Sequence, residues 1–261
     1  MKRFIVMILA FYVMVFAEVA QEAQPKPGNG VSTFAGGSSV KKGATALILN
    51  YHLTLLHSNG DIYNNQLIPV LRVGLGEQWD FFAQIPMQFQ LKKGKESGNY
   101  GPLGRAIFYF HKQHFAENIE DFLLSVATNY ALDMPTNSGM VGKWGFGFGL
   151  GISLAYQSHS IVFDVLATPY SDKTTRVWAK LGYHYAFNDV IYAGLEADYD
   201  YQSWRINGSH NLYIGPIISF KVAYLKNSAW GFGIFGDAIG KYQSKANIDR
   251  WRFSSRITMM F

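Results

Sequence analysis

The chain contains no cysteine. That excludes a disulfide scaffold, a thiolate zinc site and a cysteine nucleophile. Charge is also scarce. Asp, Glu, Lys and Arg make up 16% of the residues, against about 25% in an ordinary soluble domain. Long apolar runs are missing as well. Beyond the first seventeen residues no clean stretch of ~20 apolar residues could cross a bilayer as a helix. Yet the chain is 49% hydrophobic and 16% aromatic, which excludes disorder. What is present is a 261-residue chain with 26 Gly, 20 Phe and 16 Tyr, whose apolar residues must be spread out rather than clustered.

The exception is the start. Lys2 and Arg3 precede a uniformly apolar stretch from Phe4 to Phe16, and Ala17 and Glu18 follow it. A basic beginning, a short apolar core and a small residue at the exit describe a secretory signal peptide over residues 1–17. Cleavage after Ala17 puts Val15 at the −3 position, whereas cleavage after Ala20 would put Glu18 there. No cysteine follows to carry a lipid anchor. Without Lys2 and Arg3 the balance is 21 basic to 18 acidic residues, and no basic run argues for nucleic acid. Residues 18–42 are rich in Gln, Pro, Gly and Ser and read as a flexible periplasmic lead-in.

From residue 43 onward the sequence runs with period two. Between Trp144 and Tyr156 every even residue is aromatic or aliphatic and every odd one is Gly, Ser or Ala. A strand sends alternate side chains to opposite faces. A helix would scatter these glycines at a cost of about 1 kcal/mol each. Twelve segments follow the same rule, at 44–57, 66–76, 79–91, 103–112, 121–133, 144–156, 161–169, 176–187, 190–202, 210–224, 229–240 and 250–261. Most have roughly the length a tilted strand needs to cross a bilayer. Connections after odd-numbered segments read as longer and polar, as in Ser58–Asn65 and Lys241–Asp249. Those after even-numbered segments read as tight, as in Glu77-Gln78 and Asn188-Asp189. Gln113–Glu120 is an exception. Long loops at one end and short turns at the other are the pattern of an outer-membrane barrel.

The expected fold is therefore all-β: a transmembrane, antiparallel, up-and-down β-barrel of about 12 strands over residues 43–261. Lipid favours closure, because an open sheet edge would leave N–H and C=O groups without water. The chain ends in Phe261, with Met259 and Ile257 at alternate positions before it. This looks like the C-terminal assembly signal that the barrel assembly machinery reads. Trp79, Trp144, Tyr156, Trp230 and Trp251 fit the two aromatic girdles.

If the aromatic face meets lipid, the other face lines the lumen. Charges on the lipid face would cost about 2–4 kcal/mol each near mid-membrane. The candidate solute path therefore comprises Arg72, Asp80 and Gln84, then Asp164, Arg176, Lys180 and His184, then Glu196, Asp198 and Asp200, and finally Asp237, Arg252 and Arg256. Gln88, Arg105, Lys221 and Arg250 fall on the same face. A turn centred on Asn188 sets Lys180 opposite Glu196 and Arg176 opposite Asp200. One centred on Asp189 sets Lys180 opposite Asp198. Either gives the lysine a carboxylate partner, which serves wall pairing or a charged constriction. Twelve strands enclose a narrow lumen that a loop or residues 18–42 could plug. Pro86 and Pro216 fall inside expected strands and mark bulges or interruptions.

The stretch Leu71-Arg72-Val73-Gly74-Leu75-Gly76-Glu77-Gln78-Trp79 and onward to Ile85-Pro86 resembles a hairpin of the outer-membrane transporters called the meta-pathway of phenol degradation family. Gly101-Pro102-Leu103-Gly104 is similar to the start of that family's next strand. Met134-Pro135-Thr136 with Gly139 is similar to its Leu-Pro-Thr-Gly loop. The sequence departs from the family at Arg105, where an acidic residue is expected, and at Met134. The resemblance implies a barrel that passes small solutes, aromatic or hydrophobic compounds among them, and supplies no catalytic residues.

The leading expectation is a monomeric outer-membrane channel for passive passage of small solutes, with outer-membrane lipid and the assembly machinery as its other partners. No cofactor, metal or nucleic acid is expected. A structural or adhesive barrel is the first alternative, but its loops of about 6–11 residues are modest. A lipid hydrolase is the second. It would need a Ser and a His within hydrogen-bond reach on the outer wall. His159-Ser160 sits at a tight turn, and His52, His111 and His184 fall mostly on the lumen face.

Overall fold

The computed structural model describes residue 37 and residues 39–57, 62–92, 101–102, 105–119, 122–135, 144–188, 190–203, 209–221, 228–238 and 249–261. The expected signal peptide, residues 1–17, lies outside them. No helix occurs among the described residues. The strands are β1 (Thr45–His57), β2 (Ile62–Gly76), β3 (Trp79–Gln84), β4 (Met87–Lys92), β5 (Gly101–Pro102), β6 (Arg105–Ile119) and β7 (Phe122–Pro135). They continue as β8 (Gly145–Tyr156), β9 (His159–Pro169), β10 (Thr175–Ala186), β11 (Ile191–Gln202), β12 (Ser209–Lys221), β13 (Ser228–Asp237) and β14 (Asp249–Met260).

These fourteen segments form twelve staves. β3 and β4 lie end to end along β2, and β6 and β5 lie end to end along them. Every other neighbour in sequence is an antiparallel neighbour in space. The ring closes because β1 pairs with β14 as well as with β2. Thr45 and Phe261 exchange backbone hydrogen bonds of 3.2 and 2.8 Å, which joins the two ends of the barrel chain. Closure leaves no strand edge to be satisfied by water.

The two faces of the wall are inverted relative to a soluble protein. Leu195, Phe148, Phe146 and Leu181 on the outer face are half exposed or more. The inner rows bury Asp80, Asp164, Glu196, His111, His184 and Lys180. β7 shows the alternation residue by residue: Leu123, Ser125, Ala127, Asn129, Ala131 and Asp133 are buried, and their neighbours are not. Water does not favour such a surface, since large exposed apolar patches are expelled from it. A hydrocarbon solvent does favour it.

Several details depart from the expected segmentation, each for a physical reason. Gln113–Ile119 is strand rather than connection. His114 is an extra residue, because Gln113 faces Ala127 while Phe115 faces Val126. This bulge moves the inward row from odd to even residues, so the period-two pattern breaks although the ladder continues. β2 begins at Ile62, four residues before its expected start at 66. Pro86 interrupts its stave between β3 and β4, as a residue without an N–H should. Pro216 remains inside β12. Opposite it, the β12–β13 ladder skips from Ile214↔Gly236 to Ile217↔Gly233. Trp230 is 9% exposed and therefore not an open girdle residue; it is flanked across the ladder by Phe220 and Ile257.

The gap at Pro216 makes one glycine indispensable. A Cβ on Gly215 would sit 1.8 Å from the Ile234 carbonyl oxygen and 2.7 Å from the Phe235 Cα. Backbone there cannot yield as a side chain would. Gly215→Ala is expected to destabilise the barrel by about 1–3 kcal/mol, seen as a lower unfolding midpoint in detergent. An unchanged midpoint would show that the two strands can separate freely at this point.

Candidate functional site

Each inward row contributes to one lumen. The barrel is tallest in charge on β9, β10 and β11. Here the turn-fixed register sets Lys180 opposite Asp198 on one side and Asp164 on the other. This is the register centred on Asp189. The lysine nevertheless reaches both acids of the next strand, with Nζ 2.7 Å from Glu196 and 3.4 Å from Asp198. His184 Nε2 lies 3.2 Å from the other Glu196 oxygen. Arg176 takes a diagonal partner and donates to Asp200 at 2.7 Å. Its side chain and that of Asp200 keep 34% and 22% of their surface open, the most among these pairs. They mark the lumen mouth at the long-loop end.

Arg252 supplies the longest link. It projects from β14 and donates to Asp198 on β11, passing over β12 and β13. Its guanidinium rests 4.5 Å from the ring centroids of both Tyr213 and Phe235, a cation–π arrangement. Arg256, one turn of the row nearer the chain end, lies within electrostatic range of Glu196 and Arg72. On the far wall Arg72 donates to Asp80 through both Nε (3.1 Å) and Nη2 (2.5 Å). Gln84 and Asp237 complete the inward rows of β3 and β13, Gln84 opposite Val70 and Ile107. The side chains of Gln88, Arg105, Lys221 and Arg250 lie outside the described residues. Ile257 and Met259 alternate with the inward Arg256 and so face outward, and Phe261 is 77% exposed.

Two parts of the lumen go beyond the charged rows: one the sequence did not announce, and one in residues 18–42, which the sequence named with the loops as a segment that could plug it. The first is an apolar belt. Ile48, Val70, Phe82, Ile107, Tyr109 and Leu166 form one buried cluster on the inner wall, with Ile68 and Trp178 packed against it. It spans β1 to β9 because the Gly face of β8 lets Leu166 approach Ala131 and the β6 side chains. The signal was present in residues such as Phe82, an inward aromatic between Asp80 and Gln84. The second is a strap. Gly37 donates to Ser153 Oγ at 2.9 Å, Ser39 N and Oγ to Gln113 Oε1 at 2.8 and 2.6 Å, and Val40 N to Asp80 Oδ1 at 3.1 Å. The segment therefore runs along the inner wall from β2 to β8. It enters the wall through a turn at Lys41–Ala44, where Gly43 has φ +82° and pairs with Gly74. At the other end a Cβ on Gly37 would lie 2.1 Å from the Ser125 carbonyl oxygen, so only glycine fits there.

Serine and histidine do meet, but inside. His52 Nδ1 and Ser254 Oγ share a hydrogen bond of 2.7 Å across β1 and β14, on the lumen face. On the outer wall His159 bonds to the Tyr183 hydroxyl at 2.7 Å, a girdle contact. Among the described residues no cluster of three His, Asp or Glu side chains has metal-binding geometry.

Two solved outer-membrane proteins share this architecture. The COG4313 outer membrane channel from Pseudomonas putida F1 superposes with a TM-score of 0.61 at 11% identity, covering 91% of this chain and all of the other. The NanC porin superposes with a TM-score of 0.52 at 9% identity, covering 81% of this chain and 98% of the other. At such identities the likeness establishes the fold: a closed, twelve-stave barrel of the outer-membrane channel architecture. No family model and no curated protein sequence matches the chain.

Proposed function

We propose that this protein is an outer-membrane channel through which small solutes pass passively, and that it belongs with the meta-pathway-type transporters whose hairpin Leu71–Pro86 resembles. The observation that carries this reading is the inversion of the wall: apolar and aromatic residues on every outward row, ion pairs on the inward ones, with no edge left open. An apolar outer face matches hydrocarbon. The paired charges and the belt give the lumen both polar and apolar contacts for a solute.

The remaining parts fit the same role. Residues 1–17 export the chain and are removed. Ile257, Met259 and Phe261 present an outward, alternating end for the assembly machinery, and the barrel works as a single chain. The neighbouring channels are not enzymes, and the inward Ser254–His52 pair is a wall contact rather than a nucleophile aimed at lipid.

Purified protein added to planar lipid bilayers is expected to give discrete conductance steps. The membrane fraction should show a band that shifts on heating in a denaturing gel, as folded barrels do. A folded, inserted barrel that stays sealed at every voltage and salt concentration would sink the channel reading and favour a structural one.

A further inference from the structure

We infer that the lumen is polarised across its width and favours dipolar solutes of amino-acid size: a cationic end turned to β9–β11, an anionic end to β14–β2, and an apolar body between them. This rests on the channel reading and adds the solute class.

The two walls differ in sign. Among the described residues, β9–β11 turn four carboxylates inward, Asp164, Glu196, Asp198 and Asp200, against Arg176 and Lys180. β14, β1 and β2 turn in Arg252, Arg256 and Arg72 and no carboxylate. In the ring of twelve staves, β10 and β1 stand five staves apart one way and seven the other, so the walls face each other. The attraction across the gap is visible. Arg252 leaves its own wall to reach Asp198, and Arg256 lies in the field of Glu196.

The described contacts of the strap fall on β2, β3, β6, β7 and β8, away from the space between the two walls where Arg252 meets Asp198. A solute there must displace or bypass the Arg252–Asp198 link. A simple anion satisfies the arginine and leaves Asp198 only a share of Lys180, which also holds Glu196; a simple cation satisfies Asp198 and takes from Arg252 the carboxylate it holds. Leaving one member of a buried pair uncompensated is costly. A zwitterion replaces both partners at once. Discrimination then comes from the penalty on the wrong solute as much as from attraction to the right one. The ring of Tyr213 beside Arg252, half-buried on the inward row of β12, receives the apolar body.

The test uses three solutes of one skeleton at pH 7: phenylalanine, 3-phenylpropanoate and phenethylammonium. Each is titrated against the ionic current of the full-length protein in planar bilayers. The zwitterion is expected to interrupt the current at concentrations at least about fivefold lower than either ion, since both charged walls contribute to holding it. Arg252→Gln is expected to weaken block by the zwitterion and the anion and strengthen block by the cation. Asp198→Asn is expected to weaken block by the zwitterion and the cation and strengthen block by the anion. The wild-type ranking alone decides the matter if either variant fails to fold. Steady current with equal block by all three solutes overturns the polarised lumen and leaves the channel standing. Absence of current from an inserted, folded barrel overturns both.

Discussion

Deleting residues 18–42, so that Gly43 follows residue 17 directly, should raise the single-channel conductance at least about twofold and abolish rapid closures. A twelve-stave lumen lies between a filled eight-stranded barrel and a wide sixteen-stranded porin, so a peptide segment inside it occupies a large share of the section. The strap is held on balance rather than firmly. Three or four hydrogen bonds of about 1 kcal/mol each, with the one to the Asp80 carboxylate worth about 1.5–3 kcal/mol, oppose the cost of ordering six or so residues at about 1 kcal/mol each. The two sides come within a few kcal/mol. Wild-type channels should therefore flicker between a strapped and an unstrapped level. Asp80→Asn weakens the acceptor for Val40 N and should lengthen the time in the high level without shifting its size. Equal conductance and equal noise in the deletion and the wild type would show that the strap does not limit the path.

Lys180→Met should be the most destabilising substitution in the lumen, at about 3–5 kcal/mol. Lys180 is 5% exposed and lies between Glu196 at 2.7 Å and Asp198 at 3.4 Å. Removing its charge leaves two buried carboxylates on adjacent inward positions of one strand, where like charges repel and neither is well solvated. Asp198 keeps Arg252 in direct contact, whereas Glu196 keeps His184 and the field of Arg256. Lys180→Met combined with Glu196→Gln should therefore recover much of the loss, because the remaining acid still has a cation. The readout is the urea concentration at which the heat-shifted gel band appears. Lys173→Met, in an exposed turn, provides the baseline. If Lys180→Met unfolds at the same concentration as that control, the lumen is wet enough to solvate the carboxylates, and the pairing carries little of the stability.

The barrel was readable because its signal is local. Side-chain direction in a strand depends on parity alone, so Trp144–Tyr156 or Trp79–Gln84 announce their two faces without knowledge of any neighbour. Where parity broke, the reading broke. At His114 one inserted residue reversed the inward row, and a strand continuing to Ile119 looked like a connection. Pro86 and Pro216 behaved as their missing N–H requires, one breaking a stave and the other opening a ladder. The apolar belt was harder to see, because an inward Phe82 or Tyr109 carries the same letters as a lipid-facing one, and only parity summed around the ring brings them together.

The sequence by itself determined that this chain crosses the wall of a barrel again and again with one face apolar, and that its charges turn inward. These follow from period-two patterning and from the energetic cost of charge in hydrocarbon, both properties of short segments. Only the tertiary structure decided which charges meet. The sequence left two registers for Lys180, and the folded turn, in which Asn188 Oδ1 accepts from Val190 and Ile191 N, is centred on Asp189. The link from Arg252 to Asp198, 54 residues apart, exists because the ring closes and brings β14 within reach of β11. The strap from Gly37 to Val40 could bind only once β3, β6 and β8 stood side by side. Contacts of this kind are set by closure, which no window of sequence contains.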